Sequence, residues 1–517
     1  MTPHTPAGGG GPTLGIIDLG SNTVRLSIVE LGRDGAYRVR HEEKAALRLA
    51  ARLHSDGSLG PDTTDATVAV VRGFAAIGAD WGVHDWLAVG TAAVRAATDG
   101  AALLAEVQRQ TGIRVALLSG TEEAELGLIG ALNTLAEGDG WLVDIGGAST
   151  ELTRFVGRRS TGSVSLPLGA VNAARRFDLE DRAPVGAVRE LERTLATTLD
   201  GVAPTADWNA PAPGATLVGL GGTVRALAKL DRRERRYPLN LTHHYTLEPV
   251  RVSGMAERLA GMTTRERLRL PGVSSDRADL MAAGAAILAW VTRHLRPQRL
   301  VVSGSGLREG LFYRHLLREL PGHLFSDVLQ ASARNLERLH GIPSTRADRL
   351  AALAEALWSD LAPLVAAPAD LARLAPVAAR LRETGTAMGY YDWPRHTFYL
   401  LREGRIFGLD HRERLILAAA AGFESIGRLR AALAPYAGLL APQDVRLAEA
   451  LGVTAALAHA LDRDCLCAAL PMQLTVLPSA VRIVPHRSSQ GLEVGTLASD
   501  FRKCFSRALA VAADAPA

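Results

Sequence analysis

The sequence predicts an α/β protein of two similar lobes, followed by an all-helical region and a small strand-containing tail. Three observations lead there. First, Ile16-Ile17-Asp18-Leu19-Gly20-Ser21-Asn22-Thr23 and Leu142-Val143-Asp144-Ile145-Gly146-Gly147-Ala148-Ser149-Thr150 are two versions of one phrase. Each sets an Asp and a polar, Gly-containing turn after an apolar β-branched run and continues into a strand-like segment, so each reads as strand, tight turn, strand. Second, strand and helix patterns alternate from Thr13 to about Arg318, the signature of layered α/β units. Third, from about Leu320 onward Ala, Leu and Arg dominate at helical spacing and strand signals vanish until Gln473.

In the first lobe, strand-like runs are Leu14 to Asp18, Val24 to Leu31, Tyr37 to Glu42, Trp86 to Val89 and Val115 to Leu118. Helical periodicity fills Thr63 to Ala79, Ala92 to Gln110 and Glu122 to Leu135. In the second lobe, strands are expected at Trp141 to Asp144, Leu152 to Val156, Ser160 to Leu166, Thr216 to Val218 and Leu300 to Ser303. The tail alternates as a strand pair from Gln473 to about Gly491 and ends in a helix from Leu497 to Ala512. The expected segmentation is a flexible Gly- and Pro-rich start at 1–12, lobes at 13–135 and 136–318, a helical domain at 319–470 and the tail at 471–517. A length of 517 residues suits several cores rather than one.

With 47% apolar and 22% charged residues the chain is globular, and its net charge of +4 permits a polyanion partner without demanding one. No nucleic-acid partner is expected. The three cysteines, Cys465, Cys467 and Cys504, do not make a disulfide framework or a zinc-ligand spacing. The longest apolar run, Met281 to Thr292, is too short to span a bilayer, and the start has no signal-peptide core, so a cytoplasmic protein is expected.

The chemistry-bearing residues cluster at strand ends. The two Asp turns can present main-chain N–H groups and small hydroxyls to phosphate oxygens while the Asp faces a cation or water. A third loop, Gly219-Leu220-Gly221-Gly222-Thr223, passes from a strand into a helix at Val224, where the positive helix end favours an anion. A fourth, Ser303 to Gly310, has the same form. In Ser119-Gly120-Thr121-Glu122-Glu123, Ser119 and Glu122 make a capping box, which accounts for Glu122 structurally and leaves Glu123 free for function. Arg95, after Gly90-Thr91, and Arg25, after the first turn, can each offer a planar fork to phosphate.

In this order the segments resemble the exopolyphosphatase and guanosine pentaphosphate phosphatase family of the actin-like, sugar-kinase-like ATPase superfold. The matching residues are Asp18 to Thr23 with Arg25, Gly90-Thr91 with Arg95, Ser119-Gly120 with Glu122-Glu123-Ala124, and Val143 to Gly147 with Ser149 to Leu152. They continue through Gly222-Thr223, Arg277-Ala278-Asp279 with Gly284, and Leu307 to Gly310, covering about Leu14 to Leu311.

The resemblance implies duplicated ribonuclease-H-like lobes and a metal-dependent phosphohydrolase acting on chained phosphates. It makes Glu123 the general base, Asp144 and Glu151 ligands of Mg²⁺ or another divalent cation, and Asp18 a helper through water. It also implies that Gly20, Ser21, Asn22, Thr23, Arg25, Arg95, Gly146, Gly147, Ser149, Thr150, Gly221, Gly222, Thr223 and Arg277 bind phosphate. The expected reaction is release of terminal orthophosphate from inorganic polyphosphate. The alternatives are conversion of guanosine pentaphosphate to the tetraphosphate, a non-catalytic alarmone sensor, and a sugar-kinase-like phosphotransferase. The chain departs from the family pattern at Glu125, Ala148 and Ser305. In the helical region, which resembles a metal phosphohydrolase domain, Arg382-Glu383 stands where a His-containing metal pair would be. That region is therefore expected to be catalytically silent and to extend a polyphosphate groove or build a homodimer.

Overall fold

A computed structural model describes residues 11–32, 34–202, 215–462, 473–484 and 495–511 of the chain. The first apolar phrase forms β1 (Thr13–Leu19), and the chain doubles back through β2 (Val24–Leu31) and β3 (Tyr37–Ala45). After the helix Gly60–Asp80 come β4 (Val83–Gly90) and β5 (Val115–Leu117), which lie parallel to β1. The strand order is β3-β2-β1-β4-β5, with the first three antiparallel.

The second phrase repeats this layout. β6 (Gly140–Ile145), β7 (Thr150–Val156) and β8 (Arg159–Leu166) form an antiparallel meander. β9 (Thr216–Leu220) then runs parallel to β6, and after the edge strand β10 (Tyr245–Leu247), β11 (Arg299–Val302) runs parallel to β9. The order β10-β11-β9-β6-β7-β8 is the first sheet's order with one short strand added. Ile17 of β1, Val143 of β6 and Leu288 of the helix Met281–Leu295 belong to one buried core, so the lobes share apolar packing. That helix, the longest apolar run, is an interior element. Among the described residues no helix is long and apolar enough to cross a membrane.

The compact units are Met1–Ser326 and Asp327–Ala517. The second contains helices including Val328–Leu339, Ser344–Leu361, Trp393–Glu403, His411–Ala421 and Pro442–Asp462. It also contains a small sheet of β12 (Gln473–Val476), β13 (Ala480–Val484) and β14 (Ala508–Val511).

Two helices differ from expectation. The single helix from Ala92 to Gln110 is two, Ala92–Ala96 and Gly100–Thr111, because Ala97 turns to extended backbone at ψ 132°. The final helix ends at Phe505, and Ser506, at φ 53°, turns the chain into β14, which pairs parallel with β13. Ala508 to Val511 carry no strong strand signal of their own; the ladder offered by β13 decides their conformation. Pro12, expected in the flexible start, already accepts a hydrogen bond from the Leu31 N–H. The rest of that start (1–10), Cys465 and Cys467, and the end of the tail lie outside the described residues.

Candidate active site

Asp18 and Asp144 occupy matching places near the carboxyl ends of β1 and β6, where ligands meet open α/β sheets. Their cross-strand partners differ in sign. Asp18 is opposite Arg25 of β2, whereas Asp144 is opposite Glu151 of β7. The duplicated frame therefore holds a carboxylate with a cation in one lobe and two carboxylates in the other.

The turns that follow are in contact. A Cβ placed on Gly147 would come within 3.0 Å of the Ser21 Cβ and 3.3 Å of the Asn22 nitrogen, so a side chain at 147 would push the lobes apart. The Ser21 hydroxyl accepts from the Ala93 N–H at 3.1 Å, tying the first turn to the segment after β4.

Around them is a cleft with about 920 Å³ of empty space. It is lined by Asp18, Gly20, Ser21, Asn22, Thr23 and Arg25 from the first lobe and by Asp144, Gly146, Gly147 and Ser149 from the second. Gly221, Gly222, Thr223, Arg277 and Glu123 complete the sequence-expected part of the wall. The Arg277 guanidinium packs over Gly222, its carbon 2.2 Å from where a Cβ would be, so a side chain at 222 would displace it.

Arg95, Thr150 and Glu151 lie behind this wall. Arg95 donates to the Leu118 carbonyl at 2.6 Å and to Glu123 Oε2 at 3.2 Å, so it holds the carboxylate that faces the cleft. The Thr150 hydroxyl is buried and donates to the Leu168 carbonyl at 2.6 Å, which leaves it no part in holding phosphate. Glu151 is buried beside Asp144 and accepts from the Ser165 hydroxyl at 2.7 Å. Glu122 closes the capping box with Ser119, receiving its N–H and hydroxyl at 2.8 Å each, and Glu125 is exposed.

The electrostatics are those of charges held out of water without full compensation. Burial raises the Asp18 and Asp144 carboxyls to about 6 each. Burial, then the neighbouring Asp144, raises Glu151 to about 7. Glu123 is held well above the usual carboxylate range by burial and then by Glu151, with Arg95 opposing. Asp18 Oδ1 and both side-chain polar atoms of Asn22 are buried with no hydrogen-bond partner. Arg25, Arg225 and Arg277 are all lowered, first by burial; a neighbouring arginine comes next for Arg25 and Arg277, while for Arg225 Glu309 opposes the shift before Arg308 adds to it.

Two adjacent carboxylates, Asp144 raising Glu151, suit a divalent cation, which offsets their repulsion, and the orphaned Asp18 oxygen suits a water or cation. Among the described residues no group of three or more His, Cys, Asp or Glu is arranged to hold a metal. The donor set matches the Mg²⁺ habit of taking one or two carboxylates and filling the rest with water and phosphate oxygen.

Sequence reasoning missed two cleft arginines. Arg225, in the first turns of the helix Gly221–Glu234, lines the cleft and donates to the Gly304 carbonyl at 3.2 Å. Arg308, at the start of the helix Leu307–Leu316, lines it too, donating to the Ser27 hydroxyl at 2.5 Å and Glu42 at 3.1 Å. A basic residue just after a glycine loop, at a helix start, is the signal that was available in both cases.

A profile of the Ppx/GppA phosphatase family matches residues 28–319, more than half of the chain. The chain belongs to the Ppx/GppA phosphatase family. Its residues 328–434 match domain III of the same family, so the Ppx/GppA assignment extends into the helical unit. The structure resembles the Aquifex aeolicus family member at 28% identity, covering 60% of this chain and 99% of that one, with a TM-score of 0.52. It also shares the fold of an exopolyphosphatase from Cytophaga hutchinsonii at 23% identity, covering 60% of this chain and 99% of that one, with a TM-score of 0.55. This Ppx/GppA phosphatase is thus a hydrolase built on two similar α/β lobes, and its cleft lies between the repeated Asp turns.

Proposed function

We propose that this protein releases orthophosphate from the end of inorganic polyphosphate, with Glu123 as general base. One observation carries the reading. The Glu123 carboxylate shares its cleft with four guanidinium groups, those of Arg25, Arg225, Arg277 and Arg308. Phosphoryl transfer needs charge neutralisation and positioning more than covalent help, and a water nucleophile needs an oriented acceptor.

The small residues of the three turns hold the terminal phosphate through N–H groups and hydroxyls. Arg95 orients Glu123, which accepts a proton from water as the water oxygen bonds to the terminal phosphorus. The bridging P–O bond breaks, orthophosphate forms, and the chain departs one unit shorter with its new terminal charge facing the arginines. Mg²⁺ held by Asp144 and Glu151, with Asp18 acting through water, would neutralise phosphate charge in this step.

Polyphosphate is favoured over guanosine pentaphosphate by the cleft's composition. Among the described residues none of its lining side chains is aromatic, so it offers charge along its length but no ring face for a base. The test is phosphate release from each substrate with Mg²⁺. A kcat/KM for long polyphosphate at least tenfold above that for guanosine pentaphosphate supports the reading, and the reverse order replaces it with the alarmone reaction.

A further inference from the structure

Arg48 is neither a cleft residue nor part of any glycine loop, yet it is held in an unfavourable conformation. Its backbone is left-handed, at φ 49° and ψ 48°, a region that strains a residue with a Cβ and persists only where the surroundings impose it. The surroundings are the first phosphate turn. The Arg48 N–H donates to the Asn22 carbonyl at 2.8 Å, and the Ala50 N–H donates to the Ser21 carbonyl at 2.9 Å.

The side chain crosses to the second lobe. Arg48 Nη1 donates to Asp279 Oδ2 at 2.7 Å, and Nη2 reaches Asp279 Oδ1 and the Asp276 carbonyl at 3.4 Å each. Lys44 adds a contact to Asp276 Oδ2 at 3.3 Å, and Arg175, from the helix Ala170–Arg176 after the second turn, donates to the Ala51 carbonyl at 2.6 Å. Between the two aspartates lie Ala278 and Arg277, and the Arg277 guanidinium lies over Gly222 in the cleft.

We infer that Arg48 and Asp279 are positioning residues, forming a cross-lobe linkage that sets Arg277 in the cleft according to the place of the first phosphate turn. The path runs from Ser21 and Asn22 through the Arg48 backbone, across the ion pair to Asp279, and on to Arg277 above Gly222. An ordinary exposed ion pair contributes little. This pair differs because each end is anchored within a phosphate-binding element, so breaking it frees Arg277 and lets the lobes move apart. The consequence is that phosphate bound on the first turn and Arg277 closing from the second lobe act as one event. The inference rests on the reading of the cleft as a phosphate site.

The test is a double-mutant cycle of Arg48→Gln and Arg277→Ala, scored by KM and kcat for polyphosphate, with melting curves to show that each variant is folded. Arg48→Gln is expected to raise KM about tenfold with a smaller change in kcat, Arg48→Lys to restore much of the loss, and the double variant to be no worse than Arg277→Ala alone. Multiplying effects, or an Arg48→Gln enzyme within twofold of the parent, overturn the linkage. A parent that neither binds nor cleaves polyphosphate overturns the substrate reading instead. The linkage is then decided without substrate, from a spin-label distance between the lobes. Arg48→Gln should broaden that distance and Glu123→Gln should not, and an unchanged distribution in Arg48→Gln overturns it.

Discussion

The cleft and the helical unit both bury arginines that burial lowers, and they differ in how their carboxylates are met. At the cleft, Asp18 and Asp144 in its wall and Glu151 behind it are raised to about 6, 6 and 7, and three arginines are lowered. In the helical unit, Glu383 is held down at about 2 despite its burial, by hydrogen bonds from His459 and Arg346. Arg346 meets it with two bonds of 2.9 Å and extends a third, also 2.9 Å, to Asp462, which is fully buried and also bound by Arg349. Arg380 is shared by Glu337 and Asp348, and Arg414 donates to the Leu401, Gly404 and Ile406 carbonyls.

Arg382 and Glu383, adjacent in sequence, are both committed to partners within the helical unit. Arg382 donates to the Ala421 and Phe423 carbonyls and stacks on Trp393 at 5.0 Å, while Glu383 is committed to Arg346 and His459. The difference teaches how to tell scaffold from site. A buried charge whose partners are all protein groups stabilises and specifies, whereas charges left mutually repelling and desolvated are compensated only when a ligand arrives.

The largest expected effect tests the unsatisfied region. Glu123→Gln should lower kcat by about a thousandfold, within the usual span for a general base, and leave polyphosphate affinity nearly unchanged. Steady-state kinetics and calorimetric binding measure the two separately, and retained turnover would remove Glu123 from the mechanism. In the satisfied region, Asp462→Ala should cost about 3 to 5 kcal/mol of stability in urea melts, because it removes the buried carboxylate shared by Arg346 and Arg349, while activity per folded molecule stays constant. A loss of turnover without loss of stability would break the distinction between the regions.

Next in size is metal affinity. Asp144→Asn should weaken Mn²⁺ or Mg²⁺ binding by roughly ten- to a hundredfold, and Asp18→Asn by less, since Asp144 has a carboxylate across the strand and Asp18 an arginine. Equal losses, read by calorimetry, would remove the asymmetry of the two turns. The smallest effect is the response of stability to pH. Glu383 is depressed to about 2, so its contribution is present above about 4.5 and fades as pH falls from there. Asp18, Asp144 and Glu151 are raised, so without metal their contribution is present below about 4 and is lost as pH rises through 6 to 7. Melting of metal-free protein should therefore show stability falling as pH rises from about 4 to 7 and falling again below about pH 4, with Mg²⁺ removing the first decline only.

Much of the fold is readable locally. The Asp18 and Asp144 phrases alternate apolar runs with turn residues, so their strands follow from period and turn chemistry, and the duplication follows from finding the phrase twice. The Ser119 and Glu122 spacing likewise separates the structural glutamate from Glu123, since a capping box is a local device. Thr150 could not be placed this way. It neighbours cleft-lining Ser149, but as the first residue of β7 its side chain is committed to Leu168, which lies 18 residues away.

Arg95 was recognisable as a fork for an anion, and only folding made that anion Glu123, 28 residues on. Arg225 and Arg308 each follow a glycine loop at a helix start, whereas the Arg48 to Asp279 pair, spanning 231 residues, has no local pattern to mark it. Sequence alone determined the α/β class, the repeated Asp turns and the residue types of a phosphate site, because backbone periodicity and turn preference depend on near neighbours. Tertiary structure decided which charges are paired and which are left for a ligand, because that depends on burial and on partners brought together from distant parts of the chain.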